Sequence, residues 1–154
     1  MLKRNFLFPS IFIIFGLTLD PTQSIAQEHQ VVLHIHTTGG LCRYGECYGE
    51  LLIYDDGTGF HSDGVKKKKP FSINSQELSE LLTLIKETNF EDIRKTEFTG
   101  TCPTAYDGIQ VTYSFFTSHG EEVLDSCKHV FDEQSPLIKV LQRIQAKAYN
   151  SDNK

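Results

Sequence analysis

Two stretches of this chain carry apolar residues at helical spacing, and each follows a pair of alternating segments joined by a turn. Leu78, Leu81, Leu82 and Ile85 form the first stripe; Leu137, Val140, Leu141, Ile144 and Ala148 form the second. A helix with one apolar stripe has to bury it, and strands joined by short turns pair antiparallel. The pattern predicts an α+β fold. An antiparallel sheet built from hairpins carries two amphipathic helices, arranged as two ββα-like units over 47–89 and 102–149. The units share pattern and little identity, so an old duplication and the recurrence of common elements both account for them.

Local signals set the boundaries. Val31, Leu33 and Ile35 alternate with Val32, His34 and His36, as in a half-buried strand. A second strand runs from Gly49 to Asp55, and Asp56-Gly57 predicts a hairpin turn with positive φ at both residues. Thr58 to Asp63 returns, and Val65 to Phe71 is a further extended segment. Asn74 with Glu77 three residues on makes a capping box, Ile73 can staple to Leu78, and the helix should stop near Thr88-Asn89. A short strand is expected around Thr96 to Thr99. Ile109, Val111, Tyr113 and Phe115 predict a strand, Ser118-His119-Gly120 a turn, and Glu121 to Val130 the returning strand. Ser135 and Pro136 open the last helix, and residues 150–154 form a polar, frayed tail.

The first 26 residues read as an export signal. Lys3 and Arg4 precede an apolar run from Phe6 to Leu19, and Ser24-Ile25-Ala26 follows it. As a helix that run is about 21 Å long, short of a bilayer core of about 30 Å. The expected cleavage follows Ala26, with an uncleaved anchor as the alternative. A single domain over 27–149 and a periplasmic or secreted location follow. After residue 26 the chain keeps 13 basic and 19 acidic residues, a net charge of −6. That balance excludes general nucleic-acid binding, and no later apolar run is long enough to span a membrane.

All four cysteines, Cys42, Cys47, Cys102 and Cys127, follow the signal. An even number in an oxidising compartment predicts disulfides, and four cysteines allow three connectivities. The favoured one is Cys42–Cys47, closing a tight Gly-containing loop, with Cys102–Cys127, tying the loop before one strand to the next strand.

The segment Phe98-Thr-Gly-Thr-Cys-Pro-Thr-Ala-Tyr-Asp-Gly108, the Tyr/Phe-rich strand after it and Asp125-Ser-Cys127 carry a resemblance. So do Gly39-Gly40, the Tyr54-Asp-Asp-Gly57 turn and Asn89-Phe90. Over most of its length after the signal, the chain resembles small secreted bacterial proteins of uncharacterised function, known mainly from cyanobacteria. The resemblance implies an exported bacterial domain and carries over no activity, cofactor or catalytic residue.

Few side-chain groupings point to chemistry. His34 and His36 share a strand face, where two imidazoles can reach one metal, with His29 or His61 as a possible third ligand. Asp125, Cys127 and His129 would share a face of the returning strand, but a disulfide at Cys127 removes its thiolate. Asp55 and Asp56 fit the needs of the turn. Lys66, Lys67, Lys68 and Lys69 form a cationic run that suits a solvated edge or, alternatively, an anion- or partner-binding patch. No phosphate loop, serine elbow or zinc-protease helix motif occurs.

The expected function is a non-enzymatic binding or interaction domain, without a cofactor, meeting a protein or small ligand in the periplasm. Loops anchored by disulfides on a rigid sheet suit recognition, so residues 39–49 and 100–108 are the expected contact regions. The alternative is a small extracytoplasmic metal-binding protein or hydrolase-like enzyme using His34 and His36.

Overall fold

A computed structural model describes residues 29–40, 48–62, 64 and 68–150. The expected signal, the Cys42–Cys47 pair, Lys66, Lys67 and the polar end after Asn150 lie outside them. The strands are β1 (Val31–Gly39), β2 (Tyr48–Tyr54), β3 (Thr58–Ser62), β4 (Lys69–Ser72), β5 (Ile109–Thr117) and β6 (Gly120–Asp125). The helices are α1 (Ser75–Glu87), α2 (Phe90–Arg94) and α3 (Pro136–Asn150), and a 3-10 turn spans Pro103–Tyr106.

The six strands form one antiparallel sheet in the order β4-β3-β2-β1-β5-β6. With the helices this makes the α+β architecture that the stripes and hairpins predict. The meander β1 to β4 builds outward in one direction. The β5–β6 hairpin, formed after α1 and α2, adds to the other side of β1.

Register explains which side chains meet. Phe71, Gly59, Ile53, Leu33 and Phe115 lie in one row across the sheet; His61, Leu51, Ile35, Tyr113 and Leu124 lie in the next. Both rows face the helices. Leu33, Leu51, Ile53, Phe115 and Leu124 are fully buried there with Leu81 of α1 and Leu141 and Ile144 of α3. Full burial of each such side chain stabilises the fold by about 1.5–3 kcal/mol, since the apolar area leaves water. Leu82 is the exception in the α1 stripe and stays 39% exposed.

The helix ends follow the sequence closely. Asn74 accepts from the Glu77 amide at 2.9 Å while the Glu77 carboxylate accepts from the Asn74 amide at 3.0 Å, which completes the capping box. The Thr88 amide and hydroxyl both donate to the Leu84 carbonyl, closing the other end. Lys147 donates to Glu77 at 2.6 Å, and Arg143 pairs with Glu80, so α3 is tied to α1 along their outer edges. The Lys147 hydrogen bond, with help from the Asn74 amide, holds the Glu77 carboxyl below the usual range.

Several local expectations are corrected. The β2–β3 turn has three residues, Asp55 to Gly57, and only Gly57 takes positive φ, at +81°. Its amide donates to the Tyr54 carbonyl at 3.0 Å, and a Cβ there would press on the Ile73 carbonyl. Asp56 keeps ordinary φ because its carboxylate accepts from the Thr58 amide and hydroxyl, a side-chain turn that replaces the second left-handed residue. Residues 96–99 supply one bridge, Glu97 to His129, in place of a strand. The returning strand β6 stops at Asp125, where the chain turns. Helix α2 is an addition, seated by the Phe90 ring against Phe115 at 5.0 Å between centroids.

Tyr113 has a measurable consequence. Its ring is 5% exposed, with the hydroxyl 3.5 Å from the Gln145 carboxamide oxygen. Burial pushes the phenol from 10.0 up to about 12. Below pH 10.0 both folded and unfolded chains keep this proton. As pH rises from there through about 12 the unfolded chain ionises first, so stability is lost over that interval. Tyr113→Phe is expected to flatten this alkaline decline in a series of thermal melts; an unchanged slope would show that Tyr113 ionises freely in the fold.

Candidate functional site: the stapled end of the sheet

The loop after Gly100 is held from several directions. Cys102 is bonded to Cys127, as the favoured connectivity expects. The Asp125 carboxylate accepts from the Gln110 side chain and the Cys127 amide, both at 2.8 Å. Ser126 bonds Val111 twice, its Oγ accepting from the Val111 amide and its amide donating to the Val111 carbonyl, each at 2.9 Å. Beyond it, the Phe98 amide donates to Lys128 and the Val130 amide to Thr96, joining the segment before the loop to the segment after β6.

Asp125, Cys127 and His129 therefore do not line a strand face. They form a turn in which Asp125 serves as an acceptor hub and the His129 amide donates to the Asp125 carbonyl at 2.9 Å. The disulfide removes the Cys127 thiol, so this grouping has no nucleophile.

Inside the loop, Pro103 starts the 3-10 turn and the Gly108 amide donates to the Pro103 carbonyl at 2.8 Å. Asp107 sits in the left-handed region at φ 59°, alone among the described non-glycine residues. A non-glycine residue in that region costs of order 1 kcal/mol and persists where its surroundings over-determine it. Gly39 of β1 packs against this loop with φ +87°; a Cβ there would collide with the Gly108 carbonyl and the Thr104 side chain. The loop is thus seated directly on the end of the central strand.

Beside the exposed Thr101, Thr104 and Asp107, this frame presents large apolar and aromatic side chains to solvent. Tyr106 is 75% exposed and Ile109 58%. Ile109 pairs opposite Gly39, and Tyr48, 48% exposed, pairs opposite the adjacent Thr38. Three exposed side chains of this kind thus come from one end of the sheet.

The other sequence candidates fall elsewhere. His34 and His36 lie side by side on the sheet face opposite α1 and α3, with ring centroids 6.3 Å apart. Their cross-strand neighbours are Leu52 and Ser114 for His34, Glu50 and Thr112 for His36. His34 Nε2 is buried without a hydrogen-bond partner among the described residues. His61 lies on the opposite, helix-covered face between the Phe71 and Tyr149 rings, so it cannot complete a site with His34 and His36. His29 instead approaches Asp55 and Asp56, 3.4 Å from a carboxylate oxygen of each. These three exposed groups are the described side chains whose donor atoms could meet on one cation. The Thr58 hydrogen bonds, side chain before backbone, already hold the Asp56 carboxyl below its usual range.

Of the lysine run, Lys68 pairs with Glu50 at 3.6 Å and sits 4.0 Å from the centre of the Phe60 ring. Lys69 opens the edge strand β4. No described helix is long and apolar enough to cross a membrane. The exposure of Tyr106 and Ile109 was not legible in the sequence, where Ile109 reads as the first inward residue of its strand; the run of Pro103 and Gly108 around Tyr106 is the signal that a projecting turn begins there. Comparison with known protein families gave no matching family, and comparison with curated proteins gave no match either.

Proposed function

We propose that the chain is a periplasmic or secreted binding domain whose stapled end engages a partner protein. The supporting observation is Tyr106, 75% exposed on a turn fixed by the Cys102–Cys127 bond. A rigid aromatic anchor contributes contact area with little loss of conformational freedom on binding, and tyrosine is enriched where binding energy concentrates. Ile109 lies at the same end on the helix-covered side of the sheet, and Tyr48 on its other side. The apolar run behind Lys3 and Arg4 and the small residues before Gln27 support export. The turn needs no metal or nucleophile for this task.

A photo-crosslinking residue placed at position 106 in living cells tests the reading. It is expected to trap a partner as a discrete heavier band. The same residue at position 139, on the outer surface of α3, should not. Equal trapping from both positions, or none from 106, would overturn the assignment of this end.

A further inference from the structure

Far from the stapled end, a cavity of about 400 Å³ opens between α1 and the β5–β6 hairpin. Its size falls in the range of small-ligand sites, about 300–1,000 Å³. Leu82, Ile85, Phe90 and Phe116 form the apolar wall. Leu82 and Phe116 are 39% and 42% exposed, large apolar surfaces that the fold itself leaves in water.

The polar rim is selective in charge. The Thr88 hydroxyl is committed to the Leu84 carbonyl, and the Thr117 hydroxyl donates to the Gly120 carbonyl and accepts from the His119 amide. Glu122 accepts from Arg94 at 2.8 Å, and Arg94 also holds Glu91 at 2.6 Å. Among the described residues, the side chains of Lys86, Ser118 and His119 have no such partner. Each of these three side chains can donate a hydrogen bond, and Lys86 is a cation. Glu122 is the one carboxylate among the described lining residues, and it is held in the ion pair with Arg94.

We infer that this cavity binds a small apolar monocarboxylate. The hydrocarbon body lies against Leu82, Ile85, Phe90 and Phe116, and the carboxylate meets Lys86 at the mouth. A charge-assisted hydrogen bond is about twice as strong as a neutral one, so the carboxylate and not merely the chain should decide affinity.

Octanoate, octanol and octylamine serve as probes, titrated into the isotope-labelled protein and followed by NMR. Octanoate is expected to saturate and to shift the amides of Leu82, Lys86, Phe116 and His119. Octanol and octylamine should bind at least about tenfold more weakly, as loss of a charge-assisted contact implies. Lys86→Gln should weaken octanoate about tenfold and leave octanol unchanged. Lys86 is exposed, and a matching melting temperature establishes that the variant folds. Equal affinity for the three probes, shifts centred elsewhere, or full octanoate affinity in the Lys86→Gln protein would overturn the inference. So would concentration-dependent dimers abolished by Leu82→Asp, since a second copy would then be what covers the cavity.

Discussion

Phe115→Ala is expected to lower the unfolding free energy by about 3–5 kcal/mol, the range for emptying a buried phenylalanine site. Phe115 is fully buried in the second half of β5, beside the rings of Phe90 and Tyr113 and opposite Leu33 of β1. It touches the central strand, the short helix α2 and the core together, so no single neighbour can move in to fill the space. Urea unfolding with an unchanged slope is the measurement, because a common slope means that only stability has changed. Phe115→Leu, which keeps most of the volume, should lose much less. A loss below about 1 kcal/mol for the alanine variant would mean that the site collapses freely, contrary to the packing described.

Replacing Cys102 and Cys127 together by Ser is expected to cost about 3–4 kcal/mol. The bond closes a segment with a sequence separation of 25, and the loss follows from the entropy regained by the unfolded chain. The folded loop would keep the Asp125 and Ser126 hydrogen bonds, so the effect should appear in global unfolding before it appears in the loop's geometry. Denaturant melts of the two proteins give the difference directly. A domain of this size is stable by about 5–15 kcal/mol, so either change consumes a large fraction of it. Equal stability of native and double-serine proteins would remove the staple from the account of the fold.

The architecture was legible where one residue type has one physical use. Asn74 and Glu77 are a capping box in the sequence and in the structure, because their spacing closes two backbone donors reciprocally. The stripes of α1 and α3 specify a buried face, and the sheet supplies it. Legibility failed where a short segment depends on distant partners. Helix α2 is held by Phe90 on Phe115 and by Arg94 on Glu122, neither adjacent in sequence. The return of β6 was read as longer than it is, since Cys127 and His129 continue an alternating pattern while Asp125 turns the backbone. For the site, the disulfide loop could be located from Cys102, Pro103 and Gly108. Which of its side chains faces water could not, because that follows from how the loop seats on Gly39.

The position of β1 bears on the order in which the chain can assemble. It pairs with β2 almost at once, but its other edge waits for β5, whose residues follow more than sixty positions after the end of β1. During synthesis the β1–β4 meander can form while that edge still offers a row of unpaired backbone groups, the geometry that invites pairing with another chain. The β5–β6 hairpin is therefore the closing piece: its arrival covers the open edge, and the Cys102–Cys127 bond then fastens the latch from outside the sheet.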